Sequence, residues 1–190
     1  MTALVVIGTI ALVVIAVPLA IYNRFVHLRN LTRESCRDID TELQRRYDLI
    51  PNLVDTVKGY AAHEHETLEA VTSQRADAMA SVREPDEQAT REQALGRGVA
   101  QLMAVAERYP ELRASDQFLA LQQELADTED RIQVARRIYN ANVRAYDTLV
   151  QTFPALVIAR TFGFTVRPYF ELDPIARDPG PPPVDLSGRT

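Results

Sequence analysis

The sequence predicts an all-α protein, with an N-terminal transmembrane helix followed by an antiparallel bundle of about four long helices. Three observations carry this expectation. Residues Ala3 to Tyr22 contain no charged side chain. At about 1.5 Å per residue they make roughly 30 Å of helix, the thickness of a bilayer's hydrocarbon core. Beyond them, apolar residues recur at helical spacing, and late in the chain they form an unbroken heptad seam.

The first element is residues 1–22, read as a retained anchor. A cleavable signal needs a basic leading region and a small-x-small cleavage site. Only Met1 and Thr2 precede the apolar run, and Val17-Pro18-Leu19-Ala20 is a poor cleavage site. Arg24, Arg29, Arg33 and Arg37 follow the span against one acid, Glu34. The positive-inside rule then places the N-terminus outside and the rest in the cytoplasm, giving a single-pass protein of the cell inner membrane. One cysteine, Cys36, agrees with a reducing compartment. It reads as a small helix residue, with palmitoylation as the alternative.

Residues 23–152 read as the cytoplasmic bundle. The first soluble helix continues the anchor to about Asp48, with Phe25, Leu28, Ile39, Leu43 and Tyr47 inward. Pro51 disfavours helical geometry at Ile50, so a turn or kink is expected there, with Asn52 capping the next helix. That second helix runs to about Val82 and faces inward through Leu53, Val57, Tyr60, Ala61, Leu68, Val71 and Ala78. A third opens at Pro85, with Asp86 and Glu87 suiting its dipole, and ends at Tyr109-Pro110. Gly96 and Gly98 weaken it or allow close packing. The fourth spans about Ser115 to Thr152. Its seam is Phe118, Leu121, Leu125, Thr128, Ile132, Ala135, Tyr139, Asn142, Tyr146 and Leu149. Thr128 and Asn142 on that seam read as residues that fix register or oligomer state, and Tyr139 and Tyr146 as core residues with satisfied hydroxyls.

Residues 153–170 are apolar and aromatic. If successive helices leave and return to the membrane, the fourth delivers this segment to the bilayer surface. Leu156, Ile158, Phe162, Phe164 and Phe170, with Arg160 and Arg167, then join Arg24, Arg29 and Arg33 as a membrane-interface or docking set. The alternative is that they cap the bundle or dock on another copy. Residues 171–190, rich in Pro, Asp and Gly, are expected to be disordered.

Several blocks resemble the LemA family. They are Tyr22-Asn23-Arg24-Phe25-Val26-His27-Leu28-Arg29-Asn30, Ile39-Asp40, and Arg45-Arg46-Tyr47-Asp48-Leu49-Ile50-Pro51-Asn52-Leu53-Val54. Val57-Lys58-Gly59-Tyr60-Ala61, His63-Glu64, Tyr109-Pro110-Glu111-Leu112, Arg136-Arg137-x-Tyr139-Asn140, Gly163-Phe164 and Arg167-Pro168-Tyr169-Phe170 follow in the family's order. Near Ser35-Cys36 the family's usual aromatic is replaced, a departure that touches packing. The resemblance implies an N-terminal anchor and a bundle of long antiparallel helices. It also implies that one relative is linked to forming magnetosome membranes and that others are encoded beside a membrane-embedded stress protease. No enzymatic activity comes with it.

The remaining constellations point away from catalysis. His63-Glu64-His65-Glu66 lacks the i, i+4 histidine pair of a zinc-protease helix and reads as a solvated face. Arg45 and Arg46 read as ion-pair partners of acids on neighbouring helices, such as Asp55 or Glu64. There is no Gly-rich phosphate loop and no Ser/His/Asp set. The expectation is a non-enzymatic scaffold without cofactor or metal. Its expected partners are membrane lipids and further copies of the chain, with a membrane protease as the alternative. The net charge of −5 argues against nucleic acid.

Overall fold

The computed structural model describes residues 1–80 and 85–170. The described residues form six helices: α1 (Thr2–Tyr60), α2 (His65–Met79), α3 (Pro85–Ala106), α4 (Pro110–Arg113), α5 (Asp116–Gln151) and α6 (Ala155–Phe162). No strand occurs among the described residues. The expected end of the second helix at Val82 and the tail 171–190 lie outside them.

α1 is the axis of the molecule. Its 59 residues reach roughly 88 Å. Its apolar N-terminal window has no buried residue, whereas from Phe25 onward the inward positions are buried as expected. α5 lies along α1, α2 packs on α1, and α3 packs on α2. α1 leaves the apolar span, α2 returns, α3 leaves and α5 returns, so the anticipated directions hold.

The helix break at Pro51 does not occur. α1 runs through Ile50, Pro51 and Asn52 to Tyr60, so Asn52 caps nothing. A proline removes the bond to the carbonyl four residues back, here that of Tyr47. Arg75 on α2 supplies the missing donor: its Nε lies 2.6 Å from the Tyr47 carbonyl oxygen. The reversal comes instead after Tyr60, where the Glu64 amide donates to the Ala61 carbonyl.

α5 matches its expected span within a residue at each end. Its buried face is Phe118, Leu121, Leu125, Thr128, Ile132, Ala135 and Tyr139, then Val143, Tyr146 and Val150. Asn142 and Leu149 are only half-buried. A straight α-helix drifts about 20° per heptad against a 3.5-residue repeat. Over the length of α5 the inward position therefore moves on by one residue.

Asn142 still does what a polar seam residue is expected to do. Its Nδ2 lies 3.2 Å from the Ser35 Oγ and 3.4 Å from the Leu31 carbonyl, tying α5 to α1. Buried Thr32 and Ser35 bond back to their own helix. On α1 they lie between a membrane-proximal apolar cluster around Phe25 and Leu28 and a distal one that begins at Ile39.

The two α3 glycines serve close packing. A Cβ on Gly98 would collide with the Gln74 side chain on α2, and one on Gly96 would crowd the Arg46 guanidinium at 3.2 Å. The helix accepts a propensity cost of about 1 kcal/mol at each.

Candidate functional site

The membrane-proximal site is built where α6 meets the end of the apolar span. The Tyr22 ring lies 5.0 Å from Phe162 and 5.8 Å from Phe164, and Phe25 stacks on Phe164 at 4.6 Å. Tyr22 closes the apolar run, so these contacts place the C-terminal end of α6 level with the end of the span. Arg29 lies over the Phe164 ring at 5.8 Å.

α6 turns Ala155 and Ala159 inward and Val157 and Phe162 outward. Ala155 and Ala159, one turn apart, are buried against the bundle. Leu156 and Ile158 are half-buried. Val157 is 54% exposed, Phe162 59%, and Phe153, just before the helix, 78%. Arg160 on α6, and Arg24 and Arg33 on α1, are exposed. A globular surface helix has the opposite arrangement. An apolar outer face rimmed by arginine beside a bilayer-length helix suits a membrane interface.

Gly163 ends α6 with a φ of +71°, the only positive φ among the described residues. This left-handed stop is the familiar role of glycine after a helix. From there the chain runs back along α5, away from the span. The Arg167 amide donates to Asp147 at 3.1 Å, and the Tyr139 hydroxyl donates to the Pro168 carbonyl at 3.0 Å. Asn140 accepts from the Phe170 amide at 2.9 Å and donates to its carbonyl at 2.8 Å. Arg167 lies over the Tyr146 ring and Arg136 over Phe170. Phe164, Arg167 and Phe170 thus rest on their own bundle, and the outward face near the span belongs to Phe153, Val157 and Phe162. The Arg136-Arg137-x-Tyr139-Asn140 and Arg167-Pro168-Tyr169-Phe170 blocks are two halves of one contact.

A second polar cluster lies deep in the distal bundle. Arg46, 8% exposed, pairs with Glu92, 3% exposed, at 3.5 Å and with Glu129 at 3.3 Å. The Tyr47 hydroxyl donates to Glu92 and accepts from Gln88 at 3.3 Å. Burial first, then the hydrogen bond and charge of Glu92, push the Tyr47 pKa well above its ordinary value. The expected partners Asp55 and Glu64 are not those of the arginine pair. Arg45 pairs with Glu42, one turn away, and Glu64 pairs with Arg108 at 2.7 Å. Helix rotation decides this, because Arg46 follows the inward face of α1. Sequence reading missed Glu92 and Glu129, which sit in charged stretches resembling solvated faces. The small residue at Gly96, opposite the Arg46 head, was the available signal.

His63 and His65 are exposed, and His63 lies in the turn before α2. Cys36 is exposed.

The sequence pattern of the LemA family matches residues 35–185. This chain belongs to the LemA family. Among relatives of this LemA protein, Magnetosome protein MamQ 1 and Magnetosome protein MamQ 2 of Paramagnetospirillum magneticum are each 27% identical over 203 residues. Those alignments cover 93% of this chain and 75% of each relative. Magnetosome protein MamQ of Magnetospirillum gryphiswaldense is 24% identical over 183 residues, covering 83% of this chain and 67% of the relative. With the exposed apolar helix, these relatives mark this LemA protein as membrane-associated. Neither the family name nor the relatives' names specify an enzymatic activity.

Proposed function

We propose that this LemA protein is a single-pass scaffold that self-assembles on the bacterial inner membrane and organises or remodels it, with its N-terminus outside and its bundle in the cytoplasm. The outward apolar face of α6, set beside the end of the span, is the observation that carries this reading. An anchored bundle needs only its span to stay at the membrane. A second apolar element at the same level couples the bundle to the lipid surface and fixes its tilt. Burying Phe153 or Phe162 in lipid contributes roughly 1.5–3 kcal/mol at most. Each arginine near anionic headgroups adds about 1 kcal/mol. Interfacial insertion of this kind is sensitive to curvature, which gives a scaffold a means of shaping membrane. The magnetosome names of the relatives support a role at a membrane, and the arginines after Tyr22 support the orientation.

Electron microscopy of the full chain reconstituted in anionic liposomes tests this function. Clusters or arrays that deform the vesicles are expected. Phe153→Ser with Val157→Ser should leave the helices folded and disperse the assemblies. Isolated, randomly spread particles in the unaltered protein would refute the scaffold.

A further inference from the structure

α3 packs on α2, and α5 packs on α1. Between α3 and α5 lies a cavity of about 670 Å³. That volume falls within the range of about 300–1,000 Å³ usual for small-molecule sites. Its far part is walled by Val99, Met103 and Leu125, and its near part by Arg46, Glu92, Glu129 and Arg136. The four charged side chains sum formally to zero, yet they are not paired evenly. Arg46 takes both carboxylates. Arg136 makes no ion pair or hydrogen bond among the described residues, and its Nε is buried without a partner. Phe170 supports the guanidinium from one side at 5.0 Å, and Asn140 fixes Phe170 by two hydrogen bonds. Burial is the largest influence on the Arg136 pKa and holds it below its ordinary value, although Glu129 and Glu92 act to raise it.

A positioned arginine with unused donors, at the charged end of a cavity with apolar walls, calls for an anion with an apolar body. Because the surrounding charges already balance, a monoanion fits better than a dianion. We infer that the cavity between α3 and α5 binds a small organic carboxylate, its carboxylate on Arg136 and its apolar body between Val99, Met103 and Leu125. Such a site would make the scaffold responsive to a soluble metabolite, since the ligand would bridge the helix pair α1/α5 to the pair α2/α3. The inference stands apart from the membrane reading, because no residue of the cavity belongs to the α6 site.

The test uses the full chain in nanodiscs of neutral lipid, with empty nanodiscs as the blank. Fluorine NMR follows para-trifluoromethylbenzoate and its neutral amide as probes. Saturable binding of the carboxylate, about tenfold stronger than the amide, is expected. Arg136→Gln should reduce the carboxylate to the level of the amide. Ala126→Trp, at an exposed position on the cavity wall, should block both probes without disturbing the core. Arg144→Gln, an exposed arginine on the same helix, should change nothing. Equal binding of acid and amide, or carboxylate binding that survives both Arg136→Gln and Ala126→Trp, would overturn the inference. So would the absence of binding above the blank. Binding confined to a chain ending at Phe170 would assign the cavity to the protein's own C-terminal residues, and would overturn it as well.

Discussion

Arg75 replaces the one backbone hydrogen bond that Pro51 removes from the unbroken α1, donating its Nε to the Tyr47 carbonyl that Pro51 leaves without a partner. The donor comes from α2 and the acceptor from α1, so one bond both heals the long helix and holds α2 against it. Arg75→Leu should cost about 1.5–3 kcal/mol, as expected for a hydrogen bond from a charged donor. In a Pro51→Ala background the same change should cost less, because the restored amide takes back the carbonyl. A double-mutant cycle from urea unfolding measures the coupling. Additive effects would show that Arg75 acts elsewhere.

The Tyr47 hydroxyl sets a limit on alkaline stability. Glu92 accepts its hydrogen bond, and burial and that carboxylate raise its pKa in the fold. An unfolded tyrosine ionises near pH 10, so above that pH the unfolded chain gives up a proton that the fold retains. Stability contributed by Tyr47 is fully present below about pH 10 and is lost as pH rises, at up to about 1.4 kcal/mol per pH unit. Tyr47→Phe should be less stable at neutral pH, yet lose less stability between about pH 9 and pH 11. Parallel pH profiles for the two proteins would mean that Tyr47 does not carry the alkaline loss of stability.

Asn140 holds the chain after Gly163 by pairing with both backbone groups of Phe170. Asn140→Ala should free the stretch from Thr165 to Phe170. The two bonds contribute about 0.5–1.5 kcal/mol each. Faster chymotryptic cleavage at Tyr169 and Phe170, with the bundle's melting shifted only slightly, is the expected outcome. Unchanged cleavage would mean that Tyr139 and Asp147 suffice.

The parts of the fold legible in the sequence are those determined locally. α5 could be bounded to within a residue because its apolar periodicity runs over more than thirty positions with no proline or glycine. Pro51 misled for the opposite reason. Its rule is local, whereas Arg75 lies twenty-four residues away in sequence and meets it only in the folded bundle. The aromatic character of residues 153–170 was plain, but its division was not. Gly163 turns the chain, so Phe162 stays at the span while Arg167 and Phe170 return along α5. The cavity could not be read at all, since Arg46, Glu92 and Glu129 become neighbours only through the placing of three helices, α1, α3 and α5.

The depth of Val157 in a lipid bilayer decides whether the outward face of α6 lies at the membrane. A nitroxide at Val157, in a Cys36→Ser background that leaves no other thiol, is compared with one at Arg144 on the exposed face of α5. Electron paramagnetic resonance of the reconstituted full chain measures relaxation by oxygen and by a water-soluble nickel chelate. A Val157 label shielded from the chelate and relaxed by oxygen, at headgroup depth, is expected beside a water-exposed label at Arg144. Equal access of the chelate to both positions would contradict that placement.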